Sequence, residues 1–298
     1  MNVGENGASA SYYGRPVIKP PVWKPEIPWY FWTGGIAGAS AVLGQWARLS
    51  GNEHLATTAS RTGAVFDAVS PLLLISDLGR PERFLNMLRV FKVTSPMSVG
   101  SWILLANSGA STTGVVLGAI GRLPRLKRAA EAVSAATGAP LATYTAALVA
   151  NTAVPVWHEG RRELPFVFAG SAAASAGAAA AMLAPPSSAG PARRLAVSGA
   201  AAANVAAAVM ERRLGFVGEP YRVGSAGRFA RLARTASTMG AALLGTAGAR
   251  SRPAAVAGAA LVLGGELARR WSVFRAGFQS AEDPRYTVVP QRERLTAS

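Results

Sequence analysis

The sequence predicts an all-α polytopic membrane protein of eight transmembrane helices, and three observations carry that reading. Only 15% of the 298 residues are charged while 50% are hydrophobic, against roughly a quarter charged in an average soluble domain. Apolar stretches approaching the ~20 residues that cross the hydrocarbon core recur eight times along the chain. The 31 Lys and Arg, against 15 Asp and Glu, fall in short groups between those stretches, as from Arg122 to Arg128 and from Arg228 to Arg234. That is the pattern of loops beside a membrane. A nucleic-acid-binding protein would gather its cations into a patch, so the formal charge of +16 points to membrane lipid and not to nucleic acid.

In order, the predicted spans cover residues 29–47, 57–75, 99–120, 137–157, 165–184, 195–210, 229–248 and 253–268. The first opens on Trp29, Tyr30 and Trp32, as an interfacial aromatic belt would. The second carries Asp67 and Pro71. From the fifth onward the spans are Ala-rich, with SAAASAGAAAAMLA and SGAAAANVAAAVM, and such segments also suit buried helices of a soluble bundle. Small residues nevertheless permit close helix approach in lipid, and the pairs Gly34/Gly38 and Gly114/Gly118 have the spacing of a contact seam. This divides the chain into an N-terminal segment 1–28, a membrane domain 29–274 and a C-terminal tail 275–298. The N-terminus lacks a basic region followed by an apolar core, so no cleaved signal is expected and the first span directs insertion. With eight spans, both termini share a side with the loops after spans two, four and six, and that side holds 21 of the 31 Lys and Arg. The positive-inside rule then puts both termini in the cytoplasm of a cell-membrane protein.

The same composition limits the chemistry. With no cysteine and only two histidines, the chain cannot ligate an iron–sulfur cluster through thiolates or build a multi-haem bundle. No tightly bound metal or haem is expected, and a redox cofactor has to be diffusible or sit on a partner. Walker, dinucleotide-binding, zinc and nucleophile-elbow motifs are missing as well.

Polar side chains within a span are costly and mark functional paths. Asp67 lies mid-span, four residues before Pro71, whose missing N–H leaves a helix carbonyl free. It is a candidate proton carrier, and pairing with an arginine of the bundle is the structural alternative. Just beyond the span, Asp77, Arg80, Glu82 and Arg83 in DLGRPERF alternate in charge, which suits an ordered loop that docks a partner or frames a headgroup. A solvated loop near anionic lipid is the other reading. The fourth span closes on NTAVPVWHEGRRE, with Trp157 and His158, and Tyr144 lies about two turns deeper on the same face as Asn151. A phenol and an imidazole could hydrogen-bond the two carbonyls of a quinone and pass its protons; belt aromatics and a capping histidine are the alternatives. Beside Trp23, Trp29, Tyr30 and Trp32, Glu26 sits between Pro25 and Pro28 as a candidate proton acceptor at the mouth of a cavity.

Three blocks carry a resemblance to a known family: KPEIPWYFWTGGIAGAS, DLGRPERFLNMLRVFKVTSPMSVGSW, and Tyr144 with VPVWHEGRRELPFVFAGSAAASAG. Over residues 12–183 the chain resembles the NrfD/PsrC family, the quinone-reactive membrane subunits of respiratory oxidoreductases. The resemblance implies an eight-helix subunit arranged as two four-helix bundles, exchanging electrons between a menaquinone-type quinone and a four-cluster ferredoxin-like iron–sulfur subunit linked to a molybdopterin catalytic subunit. It places Trp29, Tyr30, Tyr144 and His158 near quinone, with Asp77, Arg80 and Arg83 in the adjoining loop. Some relatives have a histidine or asparagine near the start of the first helix, where this chain has aromatics and Thr33. Two other classes remain open. A transporter of ions or small solutes would also use an intramembrane acid such as Asp67, but the halves show no convincing repeat. A scaffold that only anchors redox subunits would need no quinone site.

Overall fold

The computed structural model describes residues 16–297; the first fifteen residues of the predicted N-terminal segment lie outside it. Its regular structure is helical, with no strand among the described residues. Eight long helices, from 20 to 31 residues, follow one another as α1 (Glu26–Leu49), α2 (Glu53–Asp77), α4 (Pro96–Ile120), α5 (Pro124–Ala150), α7 (Leu164–Leu183), α8 (Gly190–Leu214), α9 (Gly224–Gly245) and α10 (Arg252–Glu282). Three short ones intervene or follow, α3 (Arg83–Met87), α6 (Pro155–Glu159) and α11 (Arg285–Ala297). By length and composition α4, α5 and α7 are long and apolar enough to cross a membrane. The others are diluted by polar residues, such as Arg61 and Asp67 in α2 and Arg228, Arg231 and Arg234 in α9.

Local sequence sets the helix ends. Asn52 caps α2 by accepting the Leu55 N–H at 3.1 Å, Ser95 and Ser251 cap α4 and α10 with Pro in the first turn, and Gly121 ends α4 with φ 70°, a left-handed conformation that glycine adopts without strain. The fourth apolar stretch does not continue to Trp157. It stops at Ala150, because Pro155 has no N–H to donate and holds Val154 extended. Trp157 and His158 therefore sit on the separate helix α6. At the other end of the chain α10 runs through Glu282, with Ala276, Gly277, Ser280 and Ala281 buried.

Side-chain ties sort the connections onto two faces. On one, here called proximal, Lys24 meets Asp77, Arg213 meets Glu163, and Tyr286 meets Glu219. On the other, distal face, Arg48 meets Glu131, Asn52 meets Ser188, and Arg252 meets the carbonyl of Ala184. Within the first half α1 packs on α2 and α5, and α4 closes against α2 and α5. In the second half α7 packs on α8 and α10, and α9 closes against α8 and α10. The halves meet where α7 and α10 touch α1 and α7 touches α5.

Small residues set these distances. A Cβ at Gly38 would strike the backbone of Gly138 and Ala142, and one at Gly240 the backbone of Gly258 and Val262. Gly170, Gly177 and Gly199 likewise leave room only for the backbone across the α7–α8 contact. The Ala-rich half is thus an Ala/Gly seam in which backbones approach and dispersion contacts accumulate. Core composition differs between faces. Tyr30, Phe31, Trp157, Phe168 and Phe274 cluster toward the proximal face, while the distal cluster is chiefly alanine with Leu43, Leu55 and Leu244.

Candidate functional site

Asp67 is almost fully buried, at 1% exposure, and its neighbours are neutral. Asn107 Nδ2 on α4 donates to both carboxylate oxygens at 2.9 and 2.8 Å, and Ser108 Oγ lies 3.4 Å from Oδ1. The carbonyl freed by Pro71 is Asp67's own, and Ser108 Oγ lies 3.5 Å from it. Asn107 Oδ1 in turn accepts from Thr137 Oγ1 at 3.1 Å and from Ser134 Oγ at 3.4 Å on α5. Three helices thus share one buried polar network. The partners are amide and hydroxyl groups, and no arginine pairs with Asp67 among the described residues. Sequence reasoning missed Asn107, Ser134 and Thr137, although an amide in the apolar run SWILLANSGAS is itself a costly intramembrane polar group.

Toward the proximal face, the start of α1 gathers polar groups that have lost water without gaining partners. The Tyr30 hydroxyl, Trp32 Nε1 and Glu26 Oε2 are buried with no hydrogen bond, as is Trp102 Nε1 on α4. Tyr30 is 1% exposed, whereas Trp29 is 42% exposed, as a belt residue would be. Trp32 packs edge-on against both Trp29 and Phe66, with centroids 6.1 and 5.7 Å apart. Thr33 accepts the Ser70 hydroxyl at 2.9 Å, linking α1 to α2 one turn beyond Asp67. Tyr144 is half-buried, and its ring lies over Gly100, where a Cβ would overlap it. Because Gly38 abuts Gly138 and Ala142 across antiparallel α1 and α5, Tyr144 is set one short step further toward the Tyr30 end.

Asp77 ends α2 at this face and accepts the Lys24 backbone N–H at 2.8 Å, while Lys24 Nζ caps the Ser76 carbonyl at 3.3 Å. Burial pushes the Asp77 carboxyl above its ordinary range. The Lys24 N–H and ammonium oppose that shift and the nearby Glu26 charge adds to it. Arg80 and Arg83 are exposed, and among the described residues no ion pair joins either to Asp77 or Glu82. The charged loop is therefore held through Lys24 and Asp77, which leaves the two guanidinium groups presented outward.

His158 is exposed and lines a separate surface cavity of about 440 Å³ with Thr152, Pro155, Tyr286, Pro290 and Gln291. Neither Tyr144 nor Tyr30 borders that cavity. Trp157, one residue before, is fully buried, donates Nε1–H to the Val273 carbonyl at 2.7 Å and stacks on Trp23 at 5.3 Å. It is a core residue, and a Cβ at Gly277 would collide with its indole.

The second half holds charges that span hydropathy did not single out. Glu266 is fully buried, bonds Arg269 Nε at 2.7 Å and accepts the Ser237 hydroxyl at 2.7 Å. Arg270, 1% exposed, lies 3.8 Å over the Phe168 ring and donates to its carbonyl at 3.1 Å, with Nε and Nη1 unbonded. Among the described residues no group of three His, Cys, Asp or Glu stands close enough to hold a metal ion.

Comparison with known proteins adds one match. The sequence profile of the polysulphide reductase NrfD family matches residues 18–199, which takes in α1 to α7, Asp67, the proximal cluster and the start of α8. No curated protein and no solved structure matches the chain.

Proposed function

Since the chain belongs to the polysulphide reductase NrfD family, a family of integral membrane proteins, we propose that it is the quinone-reactive membrane subunit of a multi-subunit respiratory oxidoreductase. In this reading all eight long helices cross the cell membrane as two four-helix bundles, α1, α2, α4 and α5 in one and α7 to α10 in the other, which the two closed sets of contacts support. Both termini are cytoplasmic. A four-cluster ferredoxin-like subunit, linked to a molybdopterin enzyme, docks on the proximal face against Arg80, Arg83 and the loop after Asp77.

The observation that carries the proposal is the set of buried, unpartnered polar atoms at the start of α1. An unsatisfied buried donor costs about 1–3 kcal/mol, and three such donors, on Tyr30 and Trp32 of α1 and Trp102 of α4, lie toward the proximal side. A quinone offers what they lack, two carbonyl acceptors on a flat ring that packs between aromatics. Glu26, with its free Oε2, suits the hydroxyl of the reduced form. Trp29 and Tyr144 line the approach, and Asp67 carries protons, since quinone reduction consumes two electrons and two protons and oxidation releases them. His158, set in its own cavity on the proximal face, acts at the partner interface.

The test is electron transfer in the purified complex. A menaquinol analogue is expected to reduce the partner's clusters. Replacing Tyr30 by Phe removes one donor and is expected to slow reduction about tenfold, the equivalent of a lost hydrogen bond. Tyr144→Phe and Trp32→Phe test the other positions. Cluster reduction unchanged in all three variants would move the quinone elsewhere. Absence of an iron–sulfur protein from the complex would end the proposal.

A further inference from the structure

The polar interior of the first half does not stop at Asp67. Distal to it, Ser111 on α4 completes the Asp67 hydrogen-bonding shell, and Ser134 holds Asn107. Both serines also line an internal cavity with Gln45, Arg48, Ser60 and Glu131. The cavity has room for about one water molecule, near 10 Å³, which is the minimum a water needs. Its walls offer hydrogen-bonding atoms with no protein partner: Gln45 Oε1, Glu131 Oε2 and Arg48 Nε are all buried and unbonded. A space of this size with three such atoms meets the conditions for an ordered water, which requires two to four polar partners. Glycine makes the room, since a side chain at Gly44 would press on Ser60 and one at Gly114 on Glu131.

The outer end of this column reaches the distal surface. Glu131 bonds Arg48 at 2.7 Å and Lys127 at 2.9 Å, and Arg48 bonds Glu53 at 2.7 Å. Glu53 has a side-chain exposure of 64%, Arg48 of 16% and Glu131 of 9%, so exposure falls step by step inward. Two cations face two carboxylates, and the cluster presents no net charge to an entering proton. Around Asp67 itself the facing groups are Asn107, Ser108 and Ser111 from α4, with Ser134 and Thr137 of α5 behind Asn107. None of these is ionised.

We propose that Asp67 exchanges its proton with the distal face, through a hydrated column that runs from Glu131 and Gln45 past Ser134 and Ser111. This rests on the reading of Asp67 as a proton carrier and adds the side it serves, opposite the face on which electrons enter or leave. Only O–H bonds form and break. The carboxyl releases its proton to water of the column, or the carboxylate takes one from it. If quinol is oxidised with electrons leaving at the proximal face, protons delivered distally separate charge across the membrane.

Two measurements test it. The chain has no cysteine, so Ser111→Cys and Ser134→Cys each introduce a single thiol of nearly unchanged size. Silver ion, close to water in size, is applied to sealed vesicles from one face at a time. Both thiols are expected to react from the distal face at least about tenfold faster than a lipid-facing control, Val116→Cys, because a thiol in apolar surroundings stays protonated and slow. Reaction no faster than the control, or faster from the proximal face, overturns the column. In one-way-oriented liposomes holding the complex, the infrared carboxyl band of Asp67, assigned with Asp67→Asn, is expected to follow a pH jump on the distal side only. In Ser134→Leu, which fills the column without adding charge, the same response is expected to slow at least about tenfold, as access through a blocked path would. A band that follows the proximal side, or neither side, overturns the proposal. Neither measurement needs quinone turnover, so a hydrated column in a complex inert to quinol would separate failure of the function proposed above from failure of this one.

Discussion

The hydrogen bond between Asn107 and Asp67 can be weighed by removing each partner in turn. Asn107 is fully buried and its amide divides between both oxygens of a carboxyl group that is 1% exposed. A hydrogen bond to a charged group contributes ~1.5–3 kcal/mol, whereas neutral bonds between membrane helices average only ~0.6 kcal/mol. In Asn107→Ala, Ser108 and Ser111 remain on the carboxyl group, but Thr137 and Ser134 lose their shared acceptor. The expected loss is about 3 kcal/mol, combining one charge-assisted bond with the desolvation of the Ser134 hydroxyl, since Thr137 keeps the Val133 carbonyl at 2.8 Å. Asp67→Asn keeps the shape and removes the charge, so Asn107→Ala made on that background is expected to cost less, by a coupling of about 2 kcal/mol. The assay is reversible unfolding in mixed micelles with increasing denaturing detergent, for wild type, both single variants and the double. A coupling below ~0.5 kcal/mol, which is ordinary additivity, would refute the charge-assisted pair and with it the account of why a carboxylate tolerates this site.

Three further outcomes follow from particular contacts. Gly38→Val drives a side chain into the backbone of Gly138 and Ala142, an overpacking expected to cost about 1–3 kcal/mol in the same unfolding assay, while Gly34→Ala, whose Cβ would meet only Ser70 Oγ at 3.9 Å, is expected to be near neutral. Glu266→Gln leaves the buried Arg269 and Arg270 without their carboxylate and is expected to cost about 3 kcal/mol or more, as breaking a buried ion pair does. Asp77, raised by burial, holds its proton more tightly folded than unfolded, so as pH rises from ~4, its ordinary value, through the folded-state value, the unfolded chain binds fewer protons and stability falls. Asp77→Asn, which can still accept the Lys24 N–H, is expected to flatten that decline in melting temperature measured at stepped pH, and an equal decline in both proteins would assign it to another group.

What could be read from the sequence was mostly what repeats along the chain. Apolar stretches of membrane length located the eight long helices, because burial in lipid or in the Ala/Gly seam demands continuous small or apolar residues. Glycine spacing indicated Gly38 as a contact, but not that Gly138 would be its partner nor that neighbouring Gly34 faces α2 instead. The break at Asn151 to Val154 was written in Pro155, yet an apolar run masked it. Contacts between residues far apart in sequence left no local trace. Asn107 lies 40 residues from Asp67, Arg48 lies 83 from Glu131, and each alone reads as an isolated polar residue. The same holds for Trp157, whose position near a predicted membrane surface suggested a belt but whose indole is fixed by the Val273 carbonyl and Gly277.

The distribution of polar groups also explains why the two halves differ in composition. The first half spreads its buried amides, hydroxyls and carboxyls over α1, α2, α4 and α5, with Glu26 at the proximal end, Asp67 and Asn107 between, and Glu131 at the distal end. Such groups need defined distances to be satisfied, and these helices meet through specific pairs of glycine, serine and asparagine. In the second half Glu266, Arg269 and Ser237 form one compact buried cluster edged by Asn204, and alanine and glycine fill much of the remaining interface. Rigid, closely packed backbones are what that composition delivers. Arg270 connects the two, reaching from α10 to the Phe168 carbonyl on α7, close to Gly35 of α1. Its guanidinium, buried with Nε and Nη1 unbonded, packs at the junction between the second half and the helix whose N-terminal end holds Tyr30 and Trp32. The Ala-rich half thus meets α1 through α7 and α10, with Phe168 of α7 against Phe31 beside Tyr30.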